Sequence, residues 1–129
     1  MKHVGLTERI IGAAIEVHNL LGPGFLESIY QQALVHELIA RDLSVSKEVG
    51  IRITYKDHLV GRHRLDVVVN GLVIVELKAC HISQEVVLAQ ALSYLRATDL
   101  EVALVFNFGE PKLSWKRIIR DRIPSVSSV

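Results

Sequence analysis

"GLVIVELKAC", residues 71–80, decides how this chain folds. Leu72, Val73, Ile74 and Val75 form a continuous apolar run, β-branched at three of four positions. That is the composition of a strand covered on both faces. Side chains alternate along a strand, so Glu76 and Lys78 then share one face while Leu77 points to the other. Leaving either charge buried and unpaired costs several kcal/mol, comparable with much of a domain's net stability. The strand therefore requires a partner for its charges.

A third polar residue, Asp66, stands just upstream in "HRLDVVV", residues 63–69. Asn70-Gly71 marks a tight hairpin turn between the two runs. With a two-residue loop, Val69 faces Leu72 and Asp66 faces Val75, which puts Asp66 and Glu76 on opposite sides of the sheet. With a three-residue loop, Val69-Asn70-Gly71, Val68 pairs with Leu72. Asp66 then faces Ile74, on Glu76's side and about 7–8 Å diagonally across. The longer loop wants a left-handed residue in third place, and Gly71 can supply it. The turn chemistry permits the convergent register without forcing it.

Around this hairpin the chain reads as alternating helical and extended segments. Ile10, Ile11, Ala14, Ile15, His18 and Leu21 recur at steps of three and four, predicting a helix over 7–21 with Thr7 as N-cap. "GPG" at 22–24 ends it. A second helix runs to about Arg41, with Leu26, Ile29, Tyr30, Ala33, Leu34 and Leu38 as its apolar stripe. Strands follow near 49–55 and 60–69, then the opening strand, then a third helix from Ser83 to about Ala97. "EVALVFNF" is another buried strand, and "KLSWKRII" a more charged one that suits a sheet edge. The tail "PSVSSV" is expected to fray. The order is helix, helix, three strands, helix, two strands. That is an α/β sheet with helices packed against it.

At 129 residues the chain fits one domain, 1–129, with its core over about 7–120. Half of the residues are hydrophobic and 22% are charged, an ordinary globular composition. A net charge of +1 means that a nucleic-acid partner must bind a local patch rather than a globally basic surface. The single cysteine cannot form an intramolecular disulfide, and the polar "MKHVGLTERI" is no signal peptide. No apolar run reaches the roughly 18 residues of a membrane span. The expectation is a soluble cytoplasmic protein without membrane contact.

Two carboxylates and a lysine converging on one sheet face make a hard-cation site with an ammonium beside it. Mg²⁺ takes one or two protein carboxylates and keeps several waters, leaving positions for substrate phosphate. The same triplet also reads as a structural ion-pair network. Two helix residues favour the site. Gly24, Glu27 and Tyr30 recur every third residue along one helical face, and Glu27 borders the apolar stripe, where it could look inward. As a first-turn carboxylate it would otherwise simply complement the helix dipole. Gln90 lies between Val87, Ala91 and Tyr94 on the apolar side of the third helix. There it is either a satisfied core amide or a residue that orients a ligand.

Asp66 followed by Glu76-Leu77-Lys78 resembles the D…(D/E)xK signature of the PD-(D/E)xK nuclease superfamily, with Leu65 in place of the proline before the aspartate. "GPGFLESIY" matches the motif for which the small GxxExxY protein family within it is named, at Gly24, Glu27 and Tyr30. "HRLDVVV", "VIVELKA", "AQALSYL" and "LVFNFG" resemble that family's later blocks in order, over residues 7 to 120. The resemblance implies a restriction-endonuclease-like mixed central sheet of about four to five strands flanked by helices. It implies Asp66 and Glu76 as ligands of a divalent metal, with the Leu77 carbonyl as a further one, and Lys78 as the catalytic lysine. Glu27 is the helix-borne acid at the metal and Gln90 the following-helix residue near the site.

Other chemistries fit less well. His58 and His63 are too isolated for zinc, Cys80-His81 is adjacent rather than spaced, and a small buried thiol explains Cys80. No phosphate-binding glycine loop or acyl-transfer serine motif occurs. Candidate nucleic-acid contacts are Arg62 and Arg64 beside Asp66, and Tyr30 and Tyr94 on the helices. Lys116, Arg117 and Arg120, with Lys112 and Arg122, form a further basic group near the end. The reading is a Mg²⁺-dependent nuclease, with Mn²⁺ as an alternative cofactor, acting on nucleic acid and on DNA first. A homodimer would enlarge the small surface available to grip it. The alternative is a non-catalytic nucleic-acid-binding or protein-interaction module that keeps the fold.

Overall fold

The computed structural model describes residues 2–120; the tail expected to fray, and Arg122, lie outside them. The elements in chain order are α1 (Val4–Leu21), α2 (Glu27–Ala40), β1 (Val45–Tyr55), β2 (His58–Val69) and β3 (Val73–Lys78). Then come α3 (Gln84–Thr98), β4 (Val102–Asn107) and β5 (Ser114–Ile119). The strands form one mixed sheet in sequence order. All neighbours are antiparallel except β3 and β4, which run parallel with α3 as their crossover. Parallel neighbours need such a long connection, and β4 and the first half of β3 read as apolar runs because helices cover both their faces.

α1 and α2 cover one face. Ile10, Ala13, Ala14, Tyr30, Leu34 and Leu38 pack on Val67, Val69, Val73, Val75, Leu77, Leu104 and Phe106. α3 covers the other, with Val87, Ala91 and Leu95 on Leu65, Val68, Ile74, Ala103 and Val105. β2 changes faces part-way: Leu65 belongs to the α3-side core and Val67 to the α1/α2-side core. Two residues apart in a regular strand share a face, so the alternation breaks at Asp66. Across on β1, Glu48 adopts a left-handed φ of 53° at the same level, between the pairs Lys47–Val67 and Val49–Leu65.

Helix ends follow local chemistry. Ser83 caps α3, its hydroxyl accepting from the Glu85 and Val86 N–H groups. Gly22, at φ 69°, ends α1 by donating its N–H to the His18 carbonyl at 2.8 Å. Thr7 does not cap α1, which begins at Val4. The Thr7 hydroxyl turns back to the Val4 carbonyl at 3.0 Å inside the first turns. Both hairpin strands also start earlier than their apolar patterning suggests, at Val45 and His58, because pairing with each other extends them past the core.

The turn between β2 and β3 has three residues, Asn70, Gly71 and Leu72, between the paired Val69 and Val73. Its odd length agrees with the convergent register, but its membership differs from the expected Val69-Asn70-Gly71. Asn70 and Gly71 are both left-handed, at φ 53° and 66°, and Leu72 N–H donates to the Val69 carbonyl at 3.0 Å. Two positive φ angles in succession give the primed turn that Asn-Gly favours. Asn70 is held in place by β1: its N–H donates to the Ser44 carbonyl, and its side-chain oxygen accepts from Ser44 N–H, both at 2.8 Å. Leu72 is left as the extra residue. The shift moves Asp66 one step along, from opposite Ile74 to opposite Glu76.

Candidate active site

The β2–β3 ladder is short: Val67, Val68 and Val69 pair with Val75, Ile74 and Val73, and there it stops. Beyond it β2 stays with β1 while β3 continues beside β4, so the sheet opens between them. Asp66 and Glu76 stand at the opening. In place of backbone pairing, Asp66 N–H donates to Glu76 Oε2 and Leu77 N–H donates to Asp66 Oδ2, each at 2.8 Å. One oxygen of each carboxylate thus completes the strand edge, and the other is left over. Gln31 on α2 holds the same point from below, its Nε2 donating to the Asp66 carbonyl at 2.9 Å.

Glu76 is only 5% exposed. Burial first, and the Asp66 carboxylate next, push its pKa up to about 7; Lys78 opposes that shift and Glu27 adds to it. The tyrosine on α3 feels the same charges: burial, then Glu76 and Asp66, raise the pKa of Tyr94. Five groups from β2, β3, α2 and α3 therefore share one electrostatic environment. Among the described residues no lysine or arginine pairs with either carboxylate, which disfavours a structural ion-pair network. The single contact of that kind is His63 Nε2, 4.0 Å from Glu76 Oε1.

Lys78, half-buried, is fixed from behind. Its carbonyl accepts from Phe108 N–H at 2.8 Å, and Asn107 ties the Cys80 carbonyl at 2.8 Å. Its side chain lines a cavity of about 270 Å³ shared with Gln84, Asn107, Trp115 and Lys116. Glu27 is the exposed first residue of α2, near enough to act on Glu76. Gln90 is half-buried on α3 one turn before Tyr94, and its side chain makes no hydrogen bond among the described residues.

The expected nucleic-acid contacts divide. Arg62 is exposed, and Arg64 is exposed and pairs with Glu48 at 3.2 Å, a contact weak enough to exchange freely. Lys116 is exposed beside the Lys78 cavity. Tyr30, by contrast, is a core residue, fully buried and stacked on Phe108 with ring centroids 4.6 Å apart. Its hydroxyl donates to the Gly22 carbonyl at 2.6 Å and accepts from Phe25 N–H at 3.1 Å, so no base can stack on it. Arg117 turns to α1, bonding Thr7 Oγ1 and the Lys2 carbonyl. Arg120 turns to the end of α3, bonding the Leu95 carbonyl and Asp99. Arg117 and Arg120 thus turn to opposite layers, each engaged by its own helix. Cys80 is exposed rather than buried, because β3 has already ended before it.

A family model described as PD-(D/E)XK nuclease superfamily matches residues 4–118, the whole of the sheet but its last residue. The chain belongs to the PD-(D/E)XK nuclease superfamily. Searches of curated proteins and of solved structures each returned no match. Membership implies a nucleic-acid substrate and, as is general in this superfamily, a divalent metal. The mixed five-stranded sheet with helices on both faces is the superfamily's restriction-endonuclease-like arrangement. Among the described residues no helix is long and apolar enough to cross a membrane.

The donor set suits such an ion, although among the described residues no three histidine, cysteine or acidic side chains already form a cage. A carboxylate whose pKa is raised by burial and then by a second carboxylate is short of positive charge, and each still has an oxygen free of backbone bonds. Leu77 directs its N–H to the β2 side, and N–H and C=O of one strand residue project to the same edge, so its carbonyl faces the opening as well. Gln31 is a site neighbour that sequence reasoning missed, and His63 is one that it weighed only for zinc and set aside as too isolated. His63 stands three residues before Asp66, a spacing that in a regular strand sends the two to opposite faces.

Proposed function

We propose that this superfamily member is a metal-dependent nuclease of the GxxExxY type, hydrolysing phosphodiester bonds in nucleic acid and in DNA first. One observation carries the reading: the Asp66 and Glu76 carboxylates meet where the sheet opens, with Lys78 two residues on along β3 and Glu76 buried and unpaired by any lysine or arginine among the described residues. A structural cluster would neutralise itself with an ion pair, and this one does not.

In this reading Asp66, Glu76 and the Leu77 carbonyl hold the cation, with Glu27 approaching from α2. The bound ion, Mg²⁺ or Mn²⁺, supplies charge neutralisation at the phosphate and lowers the pKa of the attacking water. The rest belongs to the chain. Backbone N–H bonds to Asp66 and Glu76 fix the orientation of both carboxylates before substrate arrives, so little reorganisation is needed during reaction. Lys78 places its ammonium beside the position where negative charge grows on the phosphoryl oxygens. Its clamped backbone keeps it there. Lys116 shares the Lys78 cavity and attracts the adjoining phosphates. Gln90 lies along α3 where it can orient a ligand.

The test is single-turnover cleavage of DNA and RNA with Mg²⁺ or Mn²⁺, comparing wild type with Lys78→Ala. The variant should lose roughly a hundredfold or more in rate, the scale of losing one preorganised charge-stabilising group, while DNA affinity changes little because it is spread over several phosphate contacts. Wild-type protein that binds DNA and cuts nothing, with every metal and substrate form, would favour the non-catalytic module.

A further inference from the structure

His63 is the one side chain at the opening whose chemistry nothing so far uses. Its ring stacks on Tyr94 with centroids 4.2 Å apart and an interplanar angle of 15°, which fixes the plane of the imidazole. The ring edge is partly open to solvent, yet the Nε2 atom itself is buried and has no hydrogen-bond partner. A buried nitrogen without a partner keeps its desolvation cost uncompensated. Stacking on Tyr94 aims that nitrogen at Glu76 Oε1, 4.0 Å away. Oε1 is the oxygen that Glu76 keeps out of its backbone bond, since Asp66 N–H binds Oε2.

The separation is informative. It is too long for a hydrogen bond. Two nitrogen or oxygen ligands at about 2.0–2.2 Å from one ion stand about 3.3–3.6 Å apart at the tetrahedral angle and about 4.2–4.4 Å apart when opposite, so a shared cation bridges a 4.0 Å gap once the two side chains shift by a few tenths of an ångström. A water in that place would have to reach an atom that water cannot touch. The other positions at the opening are oxygens, and an imidazole nitrogen changes what the set prefers: carboxylate and carbonyl oxygen suit Mg²⁺, whereas imidazole suits later first-row ions.

Resting on the nuclease reading of the carboxylates, we infer that His63 Nε2 is a nitrogen ligand of the Asp66–Glu76 cation site, held in place by Tyr94, and that it biases the site toward transition-metal ions over Mg²⁺. β2 makes this possible by breaking its alternation at Asp66, which brings a residue three positions away to the same side.

The experiment measures binding of Co²⁺ and of Mg²⁺, each alone, by calorimetry and, for Co²⁺, by visible absorption. The proteins are wild type, His63→Phe, His63→Gln and Asp66→Asn. His63→Phe keeps a ring on Tyr94 and removes only the donor; His63→Gln serves if the phenylalanine variant folds poorly. The Co²⁺ affinity should fall about tenfold or more in both His63 variants, the low end for disturbing a metal site. Mg²⁺ affinity should change less than about threefold, because that ion gains little from nitrogen. The visible bands of bound Co²⁺ should shift as the nitrogen is lost. An unchanged Co²⁺-to-Mg²⁺ preference and an unchanged spectrum would overturn the assignment of His63 while leaving the carboxylate site standing. Equal metal binding in wild type and Asp66→Asn, or none in wild type, would overturn the carboxylate site and His63 with it.

Discussion

Glu76 makes the apo protein sensitive to pH in a direction opposite to that of most carboxylates. Its pKa rises on folding from 4.5 to about 7, chiefly through burial and then through Asp66. Between those values the folded state holds a proton that the unfolded chain has released. Glu76 therefore contributes fully to stability below about pH 4.5, and that contribution is lost as pH climbs through 7. The difference across the window is on the order of 3 kcal/mol. Wild type should weaken from pH 5 to pH 8 in urea denaturation relative to Glu76→Gln, whose amide oxygen can still accept Asp66 N–H. Above pH 7 the variant should be the more stable protein. A wild type whose stability runs parallel to the variant's over that range would show that burial does not raise this carboxyl.

At the scale of elements, two contacts that never meet substrate set the site's frame. Gly109, after β4, lies so close to the end of β3 that a Cβ there would stand 2.6 Å from the Ala79 carbonyl oxygen. Backbone cannot yield as a side chain does. Gly109→Ala should destabilise by about 1–3 kcal/mol, as overpacking does, and the denaturation midpoint checks it. Tyr30 braces the turn that leads into Glu27. Tyr30→Phe keeps the stack on Phe108 but strands the Gly22 carbonyl and Phe25 N–H, so it should cost about 1–3 kcal/mol, measured the same way. The sequence revealed the buried strands, the Ser83 cap and the polar intruders Asp66, Glu76 and Lys78, because each is a local departure from a local pattern. It concealed what depends on strands at a distance. Ser44 fixes the turn at Asn70, and no property of "VVVNGLV" announces that. Tyr30 reads equally well as an exposed aromatic or as a core residue until Phe108 is placed beneath it. His63 was hidden as a neighbour of Glu76 by the rule of alternation, which β2 breaks at Asp66 and again at Val60, left over between the pairs Ile53–Gly61 and Thr54–Leu59.

For the molecule as a whole, the proposed nuclease reading makes the cation at Asp66 and Glu76 a part of the fold's stability. An ion that binds only the native state raises the melting temperature by mass action, by about 2.7 kcal/mol at a hundred times its dissociation constant. Adding Mg²⁺ or Mn²⁺ should therefore raise the wild-type melting temperature. The rise should disappear in Asp66→Asn and Glu76→Gln, and an equal rise in all three would place the ion elsewhere. The ladder that stops after three pairs has one more consequence. The amide protons of Asp66 and Leu77 are shielded by carboxylate oxygens instead of by a neighbouring strand. The exchange of the Asp66 amide with deuterium, and its nitrogen resonance, will follow the ionisation of Glu76. The backbone carries its own gauge of the candidate site, readable from a single amide spectrum without substrate or label on any side chain.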